Sequence, residues 1–251
     1  MSHAHTHLIR LGAVAVASGA ILGAAAGLAG AATTSGNSGS SAVPATLAGV
    51  KAKAASDITD RVNDLNGAIA KVNAAKGLGS SQGTLVSYLG TEISPLQQLN
   101  QTIPADSTVQ QAAHDFGTIF SDYRVYVLVL PASRIAAAAD HATTTAIPNL
   151  TADAAKAQAR VTPANEATLQ PLINDLNSQI STATNATNGL ASTVLAFTPA
   201  QWNADNSLLD ASKSSSQAAT GALGKGRADV KRIVQDLKGS AGAGPTTTTT
   251  S

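Results

Sequence analysis

Residues 169–197 read LQPLINDLNSQISTATNATNGLASTVLAF, and this stretch decides the fold. Leu169, Ile173, Leu176, Ile180, Ala183, Thr187, Leu190, Val194 and Phe197 follow one another in alternating steps of four and three. That 3.5-residue period keeps one helix face turned toward a partner, as in supercoiled packing. A strand would need a period of two, so the stretch places the chain among helical proteins. The stripe suits an internal core and the seam of a dimer equally well.

Similar stripes extend toward both ends. Leu47, Val50, Ala54, Ile58, Val62, Leu65, Ile69 and Val72 mark a first helix, closed by Lys76 and Gly77. A second carries Leu85, Leu89, Ile93, Leu96 and Leu99, with Pro95 forcing a kink or a restart. Val109, Ala113, Phe116, Phe120 and Tyr123 form a third, capped by Asp106 or Ser107. A fourth starts at Pro131 with Ile135, Ala139, Ala142 and Ala146; Pro148 interrupts it before Leu150, Ala154, Ala157 and Val161. Thr162 and Pro163 read as cap and first turn of the fifth helix, the one quoted above. Asn206 caps a sixth, along Leu208, Ala211, Ser215, Ala219, Ala222, Val230, Ile233 and Leu237, where Gly221, Gly224 and Gly226 suit a close helix crossing.

One segment breaks the pattern. Residues 125–130 (VYVLVL) are β-branched and apolar on both faces and run into Pro131, so they read as an extended crossover or a buried helix end. A lone strand has no partner elsewhere in the chain. The expected architecture is all-α: an antiparallel bundle of four or more long helices with coiled-coil-like packing over residues 46–238.

The flanks differ in kind. Residues 1–10 are polar, with Arg10 and three histidines, and the span from Leu11 to Ala32 carries no charge. With Ala29, Gly30, Ala31 and Ala32 as a small-residue cleavage site, residues 1–32 read as a signal peptide. The rival reading is an uncleaved anchor, because residues 11–32 are long enough to tether the protein to a membrane. Residues 33–45 read as a flexible linker, and residues 239–251, GSAGAGPTTTTTS, as a disordered tail. The tail's threonines are either bare and solvated or glycosylated.

Composition narrows the function. Charged residues make up 12% of the chain, about half the usual ~25%, and the region after residue 32 is close to neutral. Such a surface offers no long-range attraction to nucleic acid. Cysteine is absent, which removes disulfides, thiolate nucleophiles and zinc–thiolate sites. Aromatics are only 3%, so the core must be thin and filled by small side chains.

The search for chemistry is brief. His114 beside Asp115, and Asp140 beside His141, could form a His/carboxylate site with Asp122, yet sequence neighbours point to different helix faces. Asp57, Asp60 and Asp64 share a face that reads as a solvated one, with Asp57 pairing with Arg61, rather than as a calcium site. The run 221–226 (GALGKG) lacks the phosphate-loop spacing. Neither a catalytic residue nor a cofactor is indicated. The one candidate pocket is aromatic: Phe116, Phe120, Tyr123 and Tyr126, with Arg124 among them, form either a core node or a site for an apolar ligand whose polar head Arg124 or a tyrosine orients.

Residues 123–131 (YRVYVLVLP), leading to Ala139 and Asp140, and residues 198–203 (TPAQWN) before the last helix resemble uncharacterised exported helical proteins of high-GC Gram-positive bacteria. The resemblance implies export and helical character and carries no activity, cofactor or catalytic residue. The expected protein is therefore a secreted or cell-envelope structural or interaction protein without catalysis. Its expected partner is an envelope or extracellular protein or a second copy of itself. The alternative is a binding module for an apolar or envelope-derived ligand.

Overall fold

A computed structural model describes residues 46–242. The expected signal peptide and linker, and the tail beyond residue 242, lie outside the described residues. Among those described, the secondary structure is helical and contains no strand.

Helix α1 (Leu47–Ala74) starts at Thr46, whose hydroxyl accepts a hydrogen bond from the Gly49 N–H at 3.1 Å. Helices α2 (Ser81–Gly90) and α3 (Ile93–Thr102) follow, then a 3-10 turn (Ile103–Ala105) and α4 (Val109–Ser121). The cap of α4 is Thr108, not Asp106 or Ser107. Asp106 instead presents its carbonyl to Lys51 Nζ at 2.7 Å, which also takes the Pro104 carbonyl and ties α1 to this connection.

The segment 125–158 is the main departure from expectation. It is helical throughout, as a π-turn (Val125–Val129), α5 (Leu130–His141), a second π-turn (Ala142–Ala146) and α6 (Ile147–Gln158). Each π-turn stands directly before a proline-containing helix start, at Pro131 and at Pro148. A proline inside an α-helix lacks a donor, and its ring collides with the carbonyl four residues back. Here the turn before it is widened: Leu130 N–H bonds to the Val125 carbonyl and Ile147 N–H to the Ala142 carbonyl, both five residues back. VYVLVL is thus a buried helix start and not an extended crossover, and Pro148 does not interrupt its helix.

The quoted stripe is also cut. Helix α7 (Glu166–Thr187) ends at Asn188, Gly189 takes φ +65°, and α8 (Leu190–Leu195) resumes the chain. Leu169, Ile173, Leu176, Ala183, Thr187, Leu190 and Val194 are all buried, so the phase survives a break in the helix. Thr162 and Pro163 lie in a turn before α7, where Asn165 Oδ1 accepts from the Thr162 N–H at 2.7 Å; they are not the helix cap. Helix α9 (Pro199–Ala204) opens with a capping box between Thr198 and Gln201. The last helix, α10 (Asp210–Gly242), begins four residues after the expected Asn206 cap and continues past residue 238. Its 33 residues make it about 50 Å long.

The apolar residues form two clusters rather than one. The first runs from Val50 to Ala139 and includes Leu190, Val194 and Leu209. The second holds Ala142, Ala146, Leu150, Ala154, Leu169, Ile173, Leu176, Ala183, Ala222, Leu223 and Ile233. It fills a three-helix arm of α6, α7 and the later part of α10. Asp229 of α10 lies near Asp175 of α7, while Ser216 and Ala219 lie near Thr187, so these two helices run antiparallel.

The arm closes tightly at one point. A Cβ on Gly226 would stand 3.1 Å from Leu150 Cδ1 and 3.3 Å from Leu176 Cδ1, whereas Gly221 and Gly224 have nothing within 4 Å. The close crossing expected from the three glycines is made by Gly226 alone. Gly226→Val should therefore lower stability by about 1–3 kcal/mol through overpacking, read from urea unfolding. A variant as stable as the parent would contradict this reading of the crossing.

Candidate functional site

The aromatic cluster is built around a residue whose role the sequence reading missed. Phe116 and Phe120, one turn apart on α4, meet edge to face with centroids 5.2 Å apart. The Arg61 guanidinium, arriving from α1, lies 4.8 Å from the Phe120 ring centroid and 4.9 Å from that of Tyr126. Arg61 is 7% exposed, and its Nη1 donates to the Asp57 carbonyl at 2.8 Å. A cation placed against two ring faces is held by their negative potential, and removal from water strengthens that attraction. Burial lowers the Arg61 pKa, opposed by Tyr126, Asp57, Asp60 and Asp64. Arginine nonetheless remains charged.

The signal for this was present. Arg61 follows Ile58 by three and precedes Leu65 by four, a core position on the stripe. Tyr126 is 41% exposed, and its hydroxyl pKa is raised by burial and by a hydrogen bond to Asp64. Arg124, the residue expected to orient a ligand head, has left-handed backbone (φ 43°) and turns to α9. Its Nε donates to Asn203 Oδ1 at 2.7 Å, and Asn203 Nδ2 donates to the Ser121 carbonyl at 3.0 Å. Tyr123 is half-buried, with its hydroxyl pKa raised by burial, Asp122 and Glu92. Glu92 is itself raised by burial and lies close enough to raise Tyr88, whose hydroxyl is buried without a hydrogen-bond partner.

The carboxylates divide differently from expectation. Asp60 and Asp64 are exposed, but Asp57 is 9% exposed and pairs with Lys53 at 2.5 Å, while Arg61 takes its carbonyl rather than its carboxylate. In the arm, Asp229 is 2% exposed with Oδ2 unpartnered and Arg232 at 3.5 Å from Oδ1. Its pKa is raised by burial and by Asp175 across the helix pair.

The two histidines have separate fates. His114 is exposed on α4; His141 is buried at the end of α5. His141 hydrogen-bonds to the backbone of Lys76 and Gly77 in the α1–α2 connection. Thr144 and Thr145, on the second π-turn, donate to the Gly77 carbonyl. Gly77 has φ +81°, and a Cβ there would lie 2.4 Å from Thr145 Oγ1, so this docking requires glycine on two counts. No group of three or more His, Asp and Glu residues able to hold a metal is assembled among the described residues.

Two small cavities accompany these clusters. One, of about 40 Å³, lies between the apolar clusters against His141, Thr187, Leu190, Ala219, Leu223 and Arg227. The other, of about 70 Å³, is bounded by Asp64, Ala68, Lys71, Leu130, Ser133 and Arg134. Pockets for drug-sized ligands are roughly 300 Å³ or more. Both cavities are on the scale of a few water molecules, and neither is lined by Phe116, Phe120, Tyr123, Arg124 or Tyr126. No family model, curated protein or solved structure matches the chain.

Two outcomes follow from this geometry. Arg61→Ala removes two cation–ring contacts and a charged hydrogen bond, and should cost about 2–4 kcal/mol in urea unfolding, with Arg61→Lys recovering only part. An Arg61→Ala loss under about 0.5 kcal/mol, the scale of an ordinary surface change, would count against the stack. The second concerns pH. Burial holds His141 below its ordinary value, with Arg227 adding to the effect. The unfolded chain, with histidine near 6.5, therefore binds more protons, and stability should fall as pH drops through about 6.5. The raised carboxylates Glu92, Asp140 and Asp229 act oppositely, favouring folding as they gain protons at lower pH. Urea melts at pH 7.5 and 5.5 should show the loss in the parent and in His114→Gln, and a smaller loss in His141→Gln.

Proposed function

We propose that this chain is an exported, secreted or envelope-held helical scaffold that acts through protein contacts and not through catalysis. The observation that carries the reading is where its reactive side chains go. Arg61 is consumed by aromatic stacking, His141 by docking a loop, and Arg124 by joining α4 to α9. What faces solvent is largely Ser, Thr, Asn, Gln and Ala, with Tyr126 the one large apolar residue exposed among the described residues. A neutral, polar surface on a long helical frame suits a spacer or docking platform.

The export reading rests on residues 1–32, and the resemblance to exported helical proteins of high-GC Gram-positive bacteria on residues 123–131 and 198–203. No described helix is long and apolar enough to cross a membrane, so a tether would have to come from residues 11–32. Coiled-coil-like packing is proposed for the arm of α6, α7 and α10, and the burial of Leu169, Ile173, Leu176, Ala183 and Thr187 along α7 supports it. Arg61 occupies the space between the Phe120 and Tyr126 rings, which favours a packed node over a site for an apolar ligand.

Fractionating a producing host into medium, wall and membrane, followed by crosslinking in place, should find the protein outside the cytoplasm and joined to a protein partner or a second copy. A cytoplasmic location removes the export reading. A hydrolytic or transferase activity in the purified protein that disappears in His114→Gln or His141→Gln would falsify the non-catalytic one. Native mass spectrometry of host-derived protein should give the bare chain mass, and a co-purifying lipid or other apolar molecule would turn the choice toward the binding module.

A further inference from the structure

The chain crosses between its two apolar clusters three times, and each crossing is weakened at the same level of the molecule. The first crossing is the π-turn Ala142–Ala146 between α5 and α6. The second is the Asn188–Gly189 break between α7 and α8. The third runs from Leu209, just before α10, to Ala222 within it, and α10 here carries Gly221 and Gly224, both exposed and each with open space where a Cβ would stand.

The small cavity lies at that level and takes its lining from all three crossings: Ala142 from the first, Thr187 and Leu190 from either side of the second, and Ser216 to Leu223 from the third. The seam also buries the polar residues His141 and Thr187. Relative motion of packed units is the default unless their interface is large and hydrophobic. Hinge rotation is absorbed by short loops, helix ends and irregular turns, such as the π-turn and the Asn188–Gly189 break, while Gly221 and Gly224 lower the stiffness of α10.

We propose that the arm of α6, α7 and the later part of α10 swings as a unit against the rest of the molecule about this seam. The docking of Gly77 on Thr144 and Thr145 holds the first half to the pivot. The motion would let one scaffold present its arm at a range of angles. The inference rests on the three crossings and is independent of export or partner identity.

The test uses the full chain, whose lack of cysteine allows clean site-directed labelling. Spin labels at exposed Asn63 on α1 and Ala155 on α6 report across the seam. Pairs at Asn63 and Gln110, and at Ala155 and Asn177, serve as controls within each half. Pulsed dipolar distances should be about twofold broader across the seam than in either control. The double variant Gly221→Ala and Gly224→Ala, which adds side chains in open space and stiffens α10, should narrow the spanning distribution alone. A spanning distribution as narrow as the controls, or one that the alanines leave unchanged, overturns the proposal.

Discussion

Two prolines inside one continuous helical run impose the constraint from which the rest of the architecture follows. Pro131 and Pro148 lie 17 residues apart, and each deprives the helix of a donor. The chain responds twice in the same way, by opening the preceding turn to five-residue spacing. Residues 125–158 thereby remain a single helical path. That path leads from the first apolar cluster to the second, and α7 and α10 assemble on its later half. An α-helix broken at either proline would release the chain into a loop, and the arm would lose its base.

The same run shows how far the sequence could be read. Helix identity was legible wherever large aliphatic residues recur at three and four, as in α1 from Val50 to Val72 and in α7 from Leu169 to Ala183. What periodicity could not reveal was continuity. The stripe of residues 169–197 keeps its phase across Asn188 and Gly189, because burial at steps of three and four survives the break in the helix. Conversely, proline at 131 and 148 signals a stop, and only a widened turn cancels it. A π-turn has no residue signature strong enough to be recognised in advance. The division into two clusters was hidden for the same reason, since it depends on where the helix path bends and not on which residues are apolar.

The candidate pocket was half legible. The aromatic residues do gather, with Phe116, Phe120 and Tyr126 in one neighbourhood, but the cation among them comes from 65 residues upstream of Tyr126 and not from the adjacent Arg124. Proximity in sequence pointed to Arg124, whereas the guanidinium against the Phe120 and Tyr126 rings is that of Arg61. Arg124 sits in left-handed backbone, which redirects its side chain toward Asn203. Arg61 entered the sequence reading only as a partner for Asp57, although its own spacing from Ile58 and Leu65 places it on the buried stripe. In a core with few large side chains, a guanidinium flanked by rings supplies bulk as well as charge.

The late arrival of α10 gives the chain a particular order of completion. All but three buried residues of the first cluster lie between Val50 and Ala139, whereas the second includes Ala222, Leu223 and Ile233 of α10. The arm cannot close on a chain that is still emerging N-terminus first, because its contacts join α6 and α7 to residues of α10 far along the sequence. The arm therefore stays unfinished until α10 has arrived. The position of a single helix thus sets the step at which the described part of the chain becomes fully packed.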